Sequence, residues 1–181
     1  MTSREDDPPF TLAHDGESES ETDADLRARL AEGSEARAQD LDLDQIRESR
    51  QEALEMLQAL AGGTLPIATA DRLIELTDGV AGREGQTDRF LELLRSLARD
   101  AMVLAAGADP EILVHCDLRE RLRALADAIG LGGAMALLGD LDQAQQDLIV
   151  NANKKLLLQA VLLGVYTRTA RPRSARAPAR R

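Results

Sequence analysis

Asn151-Ala152-Asn153-Lys154-Lys155-Leu156-Leu157-Leu158-Gln159-Ala160-Val161-Leu162-Leu163 decides the fold. Two asparagines precede a basic pair, and an almost unbroken apolar run follows. An Asn side-chain oxygen can accept a bond from an N–H that the first helical turn leaves free. The stretch therefore predicts a helix that starts at Asn153 and runs to about Thr167. Its apolar residues, Leu156 to Leu158, Ala160 to Leu163 and Val165, cover nearly the whole circumference, the pattern of a helix buried on most sides. It is too short for a membrane span, which needs roughly 20 apolar residues. Other helices must wrap around it. Lys154 and Lys155 are out of place in its first turn, where the macrodipole disfavours cations by up to about 1 kcal/mol. Either water screens them or a carboxylate or phosphate offsets them.

The segments before this helix read the same way. Asp42 or Asp44 can cap a helix carrying Ile46, Ala53, Leu54, Leu57, Leu60 and Ala61, ended by Gly62-Gly63. Leu65-Pro66 reopens the chain into a second stripe of Ala70, Leu73, Ile74, Thr77, Val80 and Ala81. After a loop over 82–85, Thr87 is the expected N-cap of the strongest helix, to Ala106. Phe90, Leu93, Leu94, Leu97, Ala101, Leu104 and Ala105 face inward there; Arg89, Glu92, Arg95, Ser96, Arg99 and Asp100 face outward. Asp109-Pro110 reads as a cap with Pro in the first turn. Asp117 is expected to cap a helix with Leu118, Leu122, Leu125 and Ile129 on one face, broken by Gly130, Gly132 and Gly133. Residues 134–150 follow, with Met135, Leu138, Leu141, Leu148 and Ile149 inward. Period-two runs of β-branched or aromatic residues are absent. The expected fold is all-α, a bundle of about six helices joined by short Gly-rich links.

The ends differ from this body. Residues 1–23 carry eight acidic side chains against Arg4, with Pro8 and Pro9, and are expected to be disordered. Residues 24–41 form a weakly helical segment around Leu26 and Leu30. Residues 42–167 are the expected folded domain. Residues 168–181 reverse the charge with six arginines and are expected to form a disordered basic tail.

The totals narrow the function. The 181 residues carry a net charge of −10 and only 2% aromatic residues, with no Trp. That argues against stacking-based single-strand binding and against general nucleic-acid affinity. The one Cys, Cys116, cannot form an internal disulfide, and residues 1–25 contain no apolar signal segment. A soluble, cytoplasmic protein is expected. No Walker loop, no dinucleotide fingerprint and no catalytic constellation is present. His115-Cys116-Asp117 is the one crowd of metal-ligand types, and adjacent residues poorly serve one tetrahedral ion. No cofactor, metal or catalytic residue is therefore assigned. The residues by themselves read as a helical interaction module.

The segment from about Leu26 to Val165 resembles the C-terminal part of the bacterial DNA polymerase III delta-prime subunit, a component of the sliding-clamp loader. Asn151, Asn153, Lys155, Leu156, Gln159, Val161, Leu162 and Leu163 resemble that family's closing N-x-N-x-[RK]-L-x-x-[EQ]-x-L-L-L pattern. The helix 90–103, with Arg99-Asp100, resembles a leucine helix bearing an Arg-Asp pair. Ile112-Leu113 before Asp117 resembles the next connector, and Gly33-Ser34-Glu35-Ala36-Arg37-Ala38 resembles the segment closing the lid. Departures are Ala36 in place of Gly, Lys154 where Pro is common, and His115 for a frequent Asn.

The resemblance implies a helical collar domain that assembles beside the delta and gamma/tau subunits by protein–protein contacts. No counterpart of the preceding nucleotide-binding-like domain, its zinc cysteines or its arginine finger stands in these residues, so any nucleotidyl transfer would belong to the holoenzyme. The candidate interface residues are Arg95, Arg99, Lys154, Lys155 and Gln159. Asn151, Asn153, Leu156 and Leu163 are the expected core motif. The alternative is a stand-alone accessory protein whose arginine tail touches DNA phosphates weakly and in a salt-dependent way.

Overall fold

A computed structural model describes residues 43–150 and 152–170. The expectations for residues 1–42, for Asn151 and for the tail beyond Ala170 lie outside them. Among the described residues the chain forms five α-helices and no strand: α1 (Leu43–Ala61), α2 (Ile67–Ala81), α3 (Gln86–Ala105), α4 (Arg119–Ile149) and α5 (Lys154–Thr169). Two 3-10 turns, Pro110–Ile112 and Cys116–Leu118, join α3 to α4. The all-α expectation holds.

α5 begins where its sequence places it. The Asn153 side chain accepts from the Leu156 N–H at 3.1 Å. Asn153→Ala should lower unfolding free energy by about 1 kcal/mol, read by urea denaturation. The helix runs to Thr169, so Arg168, assigned to the basic tail, lies within it and donates to Asp140 of α4 at 2.7 Å. Gly164 makes room for that pair: a Cβ there would stand 3.0 Å from Asp140 Oδ2 and 3.1 Å from Arg168 Nη2. At the end of α5, the Thr169 hydroxyl donates to the Leu60 carbonyl of α1.

One continuous core joins all five helices. α3 against α4 is the most extensive packing, followed by α4 against α5. Leu54, Leu57 and Leu60 of α1, Leu91, Leu94 and Leu97 of α3, Leu122, Leu125, Leu137 and Leu141 of α4, and Leu158 and Leu162 of α5 are fully enclosed. α2 contributes less, through Leu73 and Leu76.

Several local expectations are corrected. Gly85, in the left-handed region, precedes α3, and Thr87 is buried inside the first turn without a cap bond. Asp117 does not cap α4; Leu118 precedes that helix, and the Asp117 carboxylate is used elsewhere. Of the three glycines expected to break the chain, only Gly130 does (φ 67°, ψ 173°), conformational space that is essentially reserved for glycine. Gly132 and Gly133 continue helically, and a Cβ on Gly133 would meet the Ile129 Cβ at 2.9 Å. The kink shifts the phase of the second half of α4. Ala134, Leu137, Leu141 and Ala144 are buried there, while Met135 and Ile149, expected inside, are exposed. Ile74 of α2 is likewise exposed.

By length and composition the segment Cys116–Ile149 is apolar enough to cross a bilayer. Gly130 bends it at a non-helical φ/ψ, and it packs against α3 and α5.

Candidate subunit interface

The candidate interface residues fall into two sets. On α3, Arg95 is half-exposed and its Nε lies 3.2 Å from Asp142 Oδ1 of α4. Arg99, one turn on, is exposed with no ion-pair partner among the described residues. At the start of α5, Lys155 Nζ lies 2.6 Å from Asp78 Oδ1 of α2. Gln159 donates to the Thr77 hydroxyl at 3.1 Å. An internal carboxylate therefore offsets one of the two misplaced lysines. Lys154 is exposed and has no partner among the described residues. Among the described residues no hydrogen bond or ion pair links the α3 set to the α5 set.

The core motif is corrected at Asn153 and Leu156, which are both exposed. Leu156 is 61% exposed, whereas Leu163 is partly buried against the core. α5 buries Leu157, Leu158, Val161, Leu162 and Val165, and leaves Leu156 and Ala160 in water. Ile149 (82%) and Val150 (75%), at the end of α4, are exposed beside it in sequence. Together they make an apolar edge at the α4–α5 junction. The periodicity missed it because Ile149 was counted inward.

Asp100, expected on the outer face of α3, instead joins His115, Arg50 and Asp117 in a polar cluster under the α3–α4 connector. Asp100 is fully buried and accepts from the backbone N–H groups of His115 (2.8 Å) and Val114 (3.2 Å). His115 is fully buried, with Nε2 2.9 Å from the Ser96 hydroxyl. Arg50 of α1 is 1% exposed and donates through Nη2 to Asp117 Oδ1. The three residues of the His-Cys-Asp run thus go different ways: His115 to α3, Asp117 to α1, and Cys116 to a partly exposed position without a disulfide. The described residues contain no group of three or more His, Cys, Asp or Glu that could hold a metal. A cleft of ≈ 190 Å³ opens at the Gly130 kink between Asp127, Ile129, Val165 and Thr169. The Arg168 guanidinium beside it is already committed to Asp140.

Burial pushes the His115 imidazole down to about 3, helped by the Arg50 charge and opposed by Asp117. Burial raises Asp100, against the two N–H donors and the Arg99 and Arg50 charges. A depressed folded pKa contributes stability above the unfolded value of about 6.5 and loses it as pH falls towards 3. His115 should therefore cost roughly 1 kcal/mol between pH 7.5 and 5.5, and His115→Gln should flatten that slope in urea titrations. Asp100 acts in the opposite direction nearer its own range, because its raised pKa favours the folded state as it protonates.

Residues 73–166 match the family model for the C-terminal part of the DNA polymerase III delta subunit. The chain belongs to this family. The matched span runs from the first buried leucine of α2 to Tyr166 in the last turns of α5. It contains the connector cluster apart from Arg50, the Gly130 kink and every candidate interface residue. α1 precedes the match yet packs on α4 and α5 and supplies Arg50. Membership in this clamp-loader family gives the chain a DNA polymerase III subunit role in replication, and the sequence resemblance is borne out at that level. No curated protein and no solved structure matches the chain.

Proposed function

We propose that this chain is a delta-prime-like collar module: one domain over 42–167, located in the cytoplasm, that joins the clamp loader by protein–protein contacts with delta and gamma/tau and does no nucleotide chemistry itself. The observation that carries the reading is the closing motif. Its Asn153 caps α5, its Lys155 and Gln159 tie α5 to α2, and the family match ends inside the same helix. The resemblance to delta prime rests on these residues.

Two surfaces are available for assembly: the Arg95–Arg99 face of α3 and the start of α5 with Lys154. Light scattering on a sizing column, with the chain alone and mixed with gamma/tau and delta from the same source, tests the reading. A stable mixed complex is expected. A monomer that ignores both subunits overturns it. Arg95→Glu removes an exposed ion pair worth under about 1 kcal/mol to folding, so the fold should stay intact while affinity drops by about tenfold or more. Unchanged affinity would remove Arg95 from the interface.

A further inference from the structure

The α4–α5 junction combines two properties that seldom share a free surface. Ile149, Val150 and Leu156 expose large apolar side chains within eight residues. The same turn is positively charged. Lys155 is paired with Asp78, Lys154 has no ion-pair partner among the described residues, and the N-terminus of α5 adds its own partial positive charge. Asn153 accepts from the Leu156 N–H with its side chain and from the Leu157 N–H with its carbonyl, which fixes the start of α5. An occupant must bring apolar side chains flanked by carboxylates.

The chain carries such a segment. Glu5-Asp6-Asp7-Pro8-Pro9-Phe10-Thr11-Leu12-Ala13-His14-Asp15 sets Phe10 and Leu12 between acidic groups. The chain's other phenylalanine, Phe90, lies in the core. Pro8 and Pro9 fix φ just before Phe10, which lowers the entropy lost when the segment is held. Residues 16–42 separate it from α1 and span up to roughly 90 Å when extended. The radius of gyration expected of a domain this size is only about 14 Å, so the segment reaches any point on the surface. A second copy of the same edge is disfavoured as occupant, since Lys154 would meet Lys154.

We infer that residues 5–15 dock in cis on the Ile149–Val150–Leu156 edge, with Phe10 and Leu12 on the apolar side chains and the carboxylates on Lys154. This inference is independent of which subunits the chain joins: it is read on the isolated monomer, whereas assembly is read on mixtures.

Lys154 and Lys155 are the only two lysines in the chain, which makes zero-length carbodiimide coupling selective. The full chain is treated at low concentration, the monomer band is digested, and joined peptides are identified by mass spectrometry. Lys155 joined to Asp78 is the internal control for a folded domain. Lys154 joined to Glu5, Asp6, Asp7 or Asp15 is expected. In Phe10→Ser/Leu12→Ser that product should fall by about tenfold with the control unchanged. Three results overturn the inference: the control without the tail product, the tail product confined to the dimer band, or a tail product that survives the double substitution.

Discussion

Leu158→Ala should lower unfolding free energy by about 3 kcal/mol and the melting temperature by roughly 10 °C, while Leu156→Asp leaves both nearly unchanged. The two leucines stand two residues apart in the same apolar run, yet Leu158 is fully enclosed and Leu156 is mostly in water. Leu158 belongs to the face Leu157, Leu158, Val161, Leu162 and Val165, the i, i+1, i+4, i+5 and i+8 positions that α5 turns toward the rest of the bundle. Removing three carbons there loses their transfer energy and leaves a cavity among helices that cannot fully close. At Leu156 no such cavity forms. A carboxylate in the first turn of α5 also meets the favourable end of the helix dipole and Lys154. Thermal unfolding followed by circular dichroism separates the two. Leu156→Asp unfolding the domain would show that the edge is packed in solution.

That contrast marks what local pattern could and could not disclose. The all-α class was legible, because apolar residues recur at 3.6-residue spacing and Gly and Pro punctuate them. The Asn153 cap was legible because it is a local bond. A run that is apolar all round, however, carries no phase: it says that a helix is buried, not which stripe is left in water. In α4 the phase was readable but wrong beyond Gly130, since the kink resets it and moves the buried set to Ala134, Leu137, Leu141 and Ala144. The buried polar cluster was the hardest to see. Arg50 and Asp117 are 67 residues apart, and nothing in either neighbourhood marks the pair. Asp100 looks like one more solvated charge until the connector folds back and offers it two N–H groups. Asp117 was a fair cap candidate by type, but its carboxylate goes to Arg50 instead. The interface candidates were chosen by charge and resemblance, and the exposed edge at Ile149 and Val150 needed the fold to reveal it.

Asp117→Ala should cost about 3 kcal/mol, more than a change at a part-exposed carboxylate ordinarily does. The reason lies with its partner. The Arg50 side chain is 1% exposed, and its Nε and Nη1 have no hydrogen-bond partner among the described residues, so Nη2 to Asp117 is the hydrogen bond its guanidinium makes there. Without the carboxylate, a buried guanidinium loses its hydrogen-bonded counter-charge, the case in which breaking a pair costs far more than the pair itself contributes. The Asp117 side chain is 31% exposed, which lets some water replace it and sets the expectation at the lower end of the range for buried pairs. The double substitution Arg50→Met/Asp117→Ala should then recover about 2 kcal/mol, because an apolar side chain of similar length fills the site without a charge to desolvate. Urea denaturation of the two single variants and the double closes the cycle. A double variant no more stable than Asp117→Ala would mean that Arg50 holds α1 against the connector by packing of its aliphatic stem, and that the ion pair adds geometry to this face rather than stability.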